Sequence, residues 1–407
     1  GLASAAYWWG RLAAALHRAG LLILGPDFPL WVLLYADDFD LAAEGTSFCK
    51  SLFCFVWWLV VMGVPLSWKK SRGGQTYEWV GYEKSLATWP LGISASRAAW
   101  IEGWFSKLLA ERVVNTSDLR EALGRMVFVF GALSYDRPFL APLFTFWSLH
   151  GPGVVKKLPL YALIVVRWLR DRIRKRRVEV VQQRAVVDRA VLRVDAKAEG
   201  LSVAVGGWSP VYDEAGTLRK DLSPWFHLKL TEETAPWAFV SGVPARAIST
   251  LVLLATTLGL VLLSPPSLVS SGAAGKVAVT GMTDSQVSAA VVSRGLTTAF
   301  PLCAVAMELS AQMEERGIEL FLEWIPRDSN VEADRLADGD YTGFSACQRV
   351  QADMKSIHWL VLDDLLKAGA KFYRSSQGSV GKRRRPANSG RPLFSARRKT
   401  LKEKDPW

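Results

Sequence analysis

Trp324-Ile325-Pro326-Arg327-Asp328-Ser329-Asn330-Val331-Glu332-Ala333-Asp334 is the stretch on which the reading of this chain turns. It begins at the end of Ile318–Trp324, where Ile318, Leu320, Leu322 and Trp324 alternate with Glu319, Phe321 and Glu323. That period of two is the mark of a half-buried strand. Ser329 with Glu332 three residues later has the form of a capping box, so a helix is expected to open there and to carry Asp334 in its first turns.

Upstream, residues 191–195, 201–208 and 225–230 read as three strands, with Glu199-Gly200 as the first turn. A long apolar helix over 244–263 follows, then a fourth strand over 276–283 ending in Asp284. Leu302, Val305, Leu309 and Met313 mark an amphipathic helix stopped at Gly317, before the strand quoted above. The order β-β-β-α-β-α-β-α predicts an α/β domain with a mixed five-stranded sheet over 188–340. If its first and fourth strands are neighbours, Asp195 and Asp284 meet, with Asp334 above them. Three converging carboxylates can hold two divalent cations, one activating water and the other stabilising the leaving oxygen of a phosphodiester. Each acid can equally cap a helix or a turn, and spacing alone leaves both readings open.

The amino-terminal 90 residues read as helix, strand, turn, strand, helix and short strands. Tyr35-Ala36-Asp37-Asp38 places two adjacent carboxylates on a tight turn between apolar strands. Such a pair needs a cation, a solvated turn or a shifted pKa; Mg²⁺ with its waters is one solution. Residues 91–185 look helical. Residues 167–177 hold seven Lys/Arg and one acid, either a solvated helix face or a nucleic-acid contact.

The 407 residues suggest two or three domains at roughly 150 residues each. Half are hydrophobic, which excludes global disorder. Four cysteines without C-x-x-C spacing argue against a disulfide scaffold, a zinc ribbon or a thioredoxin-type site, and the four scattered histidines against H-E-x-x-H chemistry. The net charge of +12 is concentrated at one end: residues 371–407 carry 12 Lys/Arg against 2 acids. A further helix is expected within 345–373 and a disordered tail from 375 onward. Lys382, Arg383, Arg384 and Arg385 at the tail's centre suit a polyanion-binding segment or a nuclear signal. Two 16-residue apolar runs, 51–66 and 248–263, fall short of the ~18–20 residues a bilayer span needs. Both are expected to be buried helices, with no membrane partner. Gly1 in place of Met is read as a truncation inside a longer product.

Taken together, these motifs resemble the reverse transcriptase and ribonuclease H of a retroelement, of the DIRS type. Tyr35-Ala36-Asp37-Asp38 resembles the Y-x-D-D motif, and Gly63-Val64-Pro65-Leu66-Ser67-Trp68-Lys69 the Gly…Lys motif after it. Tyr77-Glu78-Trp79-Val80-Gly81-Tyr82 is similar to the hydrophobic-Gly motif near the primer grip, and Gly1–Ala5 to the remnant of a motif near the incoming nucleotide. Arg193-Val194-Asp195-Ala196, Thr283-Asp284-Ser285-Gln286 and the stretch quoted first resemble the ribonuclease H motifs.

The resemblance implies a partial palm over 1–90 and a helical thumb or connection over 91–187. A ribonuclease H-like domain over 188–340, a helical extension over 341–374 and a basic tail over 375–407 complete it, an α+β and α/β architecture. It implies Asp37, Asp38, Asp195, Asp284 and Asp334 as catalytic, metal-binding residues for Mg²⁺ or Mn²⁺. Lys69, Lys70, Arg172, Arg174, Lys175, Arg176 and Arg177, with the tail cluster, become contacts to an RNA–DNA hybrid or template-primer. Two departures follow. The family's third polymerase Asp lies upstream of the residues present, so polymerisation is expected to be absent. A Glu expected on the first long helix is replaced by Val252, so hydrolysis is expected to be weak or absent. The alternative is a non-catalytic nucleic-acid-binding or interaction protein on the same scaffold. An intracellular, nuclear setting is compatible with the tail; oligomeric state is left open.

Overall fold

The computed structural model describes residues 4–380 apart from 47, 88–89, 176–177, 181–191, 241 and 265–276. The chain divides into two compact units, Gly1–Ala87 and Thr88–Trp407.

In the first unit, α1 (Ala5–Leu24) leads into the hairpin β1 (Leu30–Tyr35) and β2 (Asp38–Ala43), then α2 (Phe48–Val61) and a second hairpin, β3 (Thr76–Trp79) and β4 (Tyr82–Ser85). Tyr35 pairs with Asp38, so the first hairpin turns through Ala36-Asp37 alone. Ala36 takes a positive φ of 54°, a conformation a two-residue loop demands and a side chain resists. The Trp9 indole holds that turn by donating to the Ala36 carbonyl at 3.0 Å. A small core of Val32, Phe55 and Leu59 joins the first hairpin to α2. The expectation of a buried helix over 51–66 is corrected here. Only Ser51, Phe55 and Leu59 of α2 are buried, while Phe53, Trp57, Val60 and Val61 are exposed. α2 packs on the first hairpin and on α1, and the rest of its apolar surface is left uncovered.

The second unit opens with β5 (Pro90–Ile93), α3 (Ala95–Glu111), β6 (Val113–Asn115) and α4 (Thr116–Val129). Asn115 caps α4, its side chain accepting from the Ser117 amide at 2.8 Å. α5 (Ala141–Ser148), β7 (Val155–Lys157), α6 (Leu160–Lys175) and β8 (Val178–Val180) follow.

Then comes the mixed sheet, from β9 (Leu192–Glu199), β10 (Ser202–Trp208), β11 (Trp225–Leu230), β12 (Val277–Thr283) and β13 (Ile318–Trp324). Its strand order is β11-β10-β9-β12-β13. The first three strands are antiparallel neighbours and β12 runs parallel to both β9 and β13. Helices α7 (Pro236–Phe239), α8 (Ile248–Leu263), α9 (Gln286–Arg294), α10 (Leu302–Glu315), α11 (Val331–Asp338) and α12 (Leu362–Val380) accompany it. This is a five-stranded mixed sheet flanked by helices.

α8 is the second apolar run, buried as expected: twelve of its residues are buried, and Gly259 sits against Leu192 and Val194. Among the described residues one helix, Pro244–Leu263, is long and apolar enough to cross a membrane, and most of it is buried inside the protein. A core helix that fills the space between a sheet and a second helix layer has no polar side to show.

The helices before the sheet and the sheet itself share one continuous apolar core. Polar ties cross it. Tyr135 donates its hydroxyl to the Ile318 carbonyl at 2.9 Å, and Ser310 donates to the Tyr135 carbonyl at 2.7 Å. Arg172 on α6 reaches the buried Asp136 at 3.3 Å and pairs with Glu314 on α10. Glu308 on α10 is fully buried, and its carboxylate accepts from the amides of Leu360, Val361 and Leu362 at 2.8–3.0 Å. It therefore closes the start of α12 from a distant part of the chain, doing the work of a cap.

Candidate functional site

The acids at the sheet come together through register. Gly281 on β12 lies opposite Leu192 on β9, so Asp284, one residue beyond β12, is level with Asp195. α11 is brought over β9 by two ties to its preceding turn. Arg193 donates to the Ser329 carbonyl at 2.9 Å, and the fully buried Asn330 donates its amide to the Val194 carbonyl at 3.1 Å. Asn330 is the N-cap residue of α11, but its side chain serves the strand instead of the helix. The expected Ser329–Glu332 capping box does not form: Glu332 pairs with Lys220 at 2.6 Å. A Cβ on Gly206 would stand 2.6 Å from the Ala337 backbone nitrogen, so only glycine lets α11 lie this close to β10. His227 on β11 closes the far end, its Nδ1 against the Leu336 carbonyl at 2.7 Å.

The electrostatics follow from this docking. Asp195 is 6 % exposed, and its carboxyl is pushed up to about 7. Burial is the largest cause, followed by the negative charge of Asp284; the Ala196 amide, donating at 2.7 Å, opposes them, and Asp334 adds to the rise. Arg327 donates to Asp334 Oδ1 at 2.6 Å and lies within electrostatic reach of Asp195 and Asp284. Between the unfolded carboxylate's ordinary value near 4 and about 7, the folded chain holds a proton that the unfolded chain has released. The associated stability is present at low pH and lost as pH rises through about 7. Asp195→Asn removes that loss. In thermal unfolding at a series of pH values, the variant should match wild type near pH ~4 and exceed it by about 4 kcal/mol at pH ~8. Parallel curves would refute the buried-acid account.

The arrangement does not fit a two-cation centre. Among the described residues no group of three or more His, Cys, Asp or Glu is placed to hold a metal ion. One oxygen of Asp195 is taken by its own following amide, and Asp334 is committed to Arg327. Val252, where the resemblance expects a Glu, is 4 % exposed inside the apolar core. Asp37 and Asp38 are exposed at the first hairpin turn, and no third acid joins them among the described residues. In that unit the buried carboxylate is Asp40, held by Tyr77 at 2.5 Å and by an ion pair with Lys84.

The basic residues divide. Lys69, Lys70, Arg174 and Lys175 are exposed, with Arg174 bound to Glu102 at 2.5 Å. Arg172 is a correction: its guanidinium turns inward to Asp136 and Glu314, so it is engaged in holding these segments together and leaves little of its charge at the surface. Arg176, Arg177 and Lys382–Arg385 lie outside the described residues. The residue that sequence reading passed over is Arg327. Its signal was available: it stands seven residues before Asp334 in the Pro-Arg-Asp turn that leads into the helix.

No protein-family profile matches this chain, and no curated protein matches it. Among solved structures it is similar to the N-terminal ribonuclease H domain of rv2228c from Mycobacterium tuberculosis, studied as a fusion with maltose binding protein. That likeness has 16 % identity and a TM-score of 0.24 over 37 % of this chain and 92 % of that one. It is also similar to RNase H1 of Halobacterium salinarum NRC-1, at 16 % identity and a TM-score of 0.23. That match spans 37 % of this chain and 94 % of the archaeal one. A foamy viral protease–reverse transcriptase in complex with an RNA/DNA hybrid is similar over 76 % of this chain and 37 % of its own, at 13 % identity and a TM-score of 0.33. The chain thus spans little more than a third of the viral protein. None of these likenesses assigns an activity to it.

Proposed function

We propose that this chain is a nucleic-acid-binding protein on a ribonuclease H-like scaffold, descended from a retroelement reverse transcriptase–ribonuclease H, whose hydrolytic centre is impaired. The observation that carries the reading is the gathering of Asp195, Asp284 and Asp334 where β9, β12 and the start of α11 meet. Three acids from distant parts of a chain have no structural reason to share one rim, since their mutual repulsion works against folding. The resemblance of the surrounding motifs supplies a reason in an ancestral cation centre. One oxygen of Asp195 accepts from an amide and one of Asp334 from a guanidinium, which supports loss of hydrolysis.

In this reading an RNA–DNA hybrid is held through its shape and backbone, not its base sequence. Exposed Lys69 and Lys70 in the first unit, and Arg174 and Lys175 in the second, add salt-dependent affinity, as does the basic tail. The first unit is proposed as a partial palm without polymerase activity, its Asp37-Asp38 turn being exposed and without a third acid among the described residues.

Fluorescence anisotropy of the full chain with labelled hybrid, duplex DNA and single-stranded DNA, titrated with salt, tests the binding. A cleavage assay in Mg²⁺ or Mn²⁺ runs beside it. Hybrid binding with a steep salt slope and no cleavage is expected. No binding at low salt would end the reading, rapid cleavage would end the claim of impairment, and binding lost on deleting residues 375–407 would confine the activity to the tail.

A further inference from the structure

We infer that Arg327 is the resident cation of the acidic rim: its guanidinium pairs with Asp334, stands within electrostatic reach of Asp195 and Asp284 where a divalent ion would sit, and keeps such ions out. The inference deepens the reading of that rim as an impaired centre. Three observations meet here. Arg327 Nη2 donates to Asp334 Oδ1 at 2.6 Å, a charge-assisted contact of the strong kind. The same guanidinium interacts favourably with Asp195 and Asp284 as well, so its charge serves the whole rim and not one partner. No set of three acids among the described residues is left arranged around a common point, as a shared cation would require.

The backbone makes this arrangement persistent. Arg327 begins the short turn Arg327–Ser329, which Arg193 and Asn330 bind to β9. Its Cα is therefore anchored to the strand that carries Asp195, although its side chain is 72 % exposed. A cation approaching the rim must displace a tethered positive charge as well as shed water, and Mg²⁺ dehydrates reluctantly. Removing the guanidinium reverses the balance: two or three carboxylates in close company are then left without a counter-charge.

Isothermal titration of the full chain with MnCl₂ alone, supported by paramagnetic resonance of free and bound Mn²⁺, tests the inference without nucleic acid. Wild type should take up Mn²⁺ at least ~10-fold more weakly than Arg327→Gln, since one unit charge a few ångströms from the ion has been removed. Arg327→Ala should behave as Arg327→Gln does. Arg327→Lys, which keeps the charge, should stay near wild type. Adding Asp284→Asn to Arg327→Gln should abolish the gain. Equal affinity of wild type and Arg327→Gln, equal gain in the Lys variant, or a gain that survives Asp284→Asn would each overturn the inference. Hybrid binding is measured separately, so either reading can fail while the other stands.

Discussion

Glu308→Ala should cost this protein about 3–5 kcal/mol of stability, the range seen when a buried charge network loses one partner. The Glu308 carboxylate has no contact with solvent and accepts from three successive amides at Leu360, Val361 and Leu362, with the Gln312 amide as a fourth donor at 2.6 Å. Alanine leaves the three backbone amides without their acceptor and removes a carboxylate from the start of α12, while the Gln312 amide keeps its second bond, to the His358 carbonyl. Glu308→Gln should lie between, because the amide retains one acceptor oxygen and turns an NH₂ toward donors. Urea unfolding gives the stability, and amide exchange at residues 360–362 shows whether the loss is local to α12. The contrast is Glu233→Gln, which breaks an exposed, solvent-screened pair with Lys355 and should leave stability nearly unchanged. Similar costs for the two variants would remove the special role of Glu308.

Val252→Glu should cost about 3 kcal/mol at neutral pH, the second large effect. At the level of the motifs this substitution restores a missing carboxylate, and a gain in hybrid cleavage is the expectation that follows. The structure adds an opposing force. Val252 lies within the apolar core on a helix without a charged side chain, so the new carboxylate enters without a counter-charge already in place. Burial raises its pKa, so the folded state keeps a proton that the unfolded chain releases, and the destabilisation should grow as pH rises above ~4. Thermal unfolding across pH ~5 to ~8 measures it. A variant as stable as wild type at every pH would mean that position 252 opens onto the acidic rim and that the core description is wrong.

The two large effects differ in how visible they were beforehand. Position 252 was singled out by motif comparison, because a Glu was expected where Val stands. Glu308 was not, because Leu302, Val305, Leu309 and Met313 already account for an amphipathic helix and a lone acid among them reads as solvated. Nothing local announces that its partners are amides some fifty residues later. Arg172 misled for the same reason: a run of seven basic residues looks like a surface, and only packing against Asp136 and Glu314 turns one of them inward. The helix Gln286–Arg294 was also passed over, its short apolar stripe being hidden by small residues.

Periodicity and turn chemistry determined the strands of the mixed sheet, the apolar helix Ile248–Leu263 and the positions of the three acids along them, because those properties depend on neighbours a few residues apart. The pairing of β9 with β12, the docking of α11 through Arg193 and Asn330, and the capture of Asp334 by Arg327 were decided by the tertiary structure alone. Charge and hydrogen-bond partners are set by what stands nearby in space. The contacts that dock the start of α11 on β9 join residues 136 positions apart, so a chain read in order names the acids but not the docking that brings them together; the Arg327–Asp334 pair, seven residues apart, is the local exception.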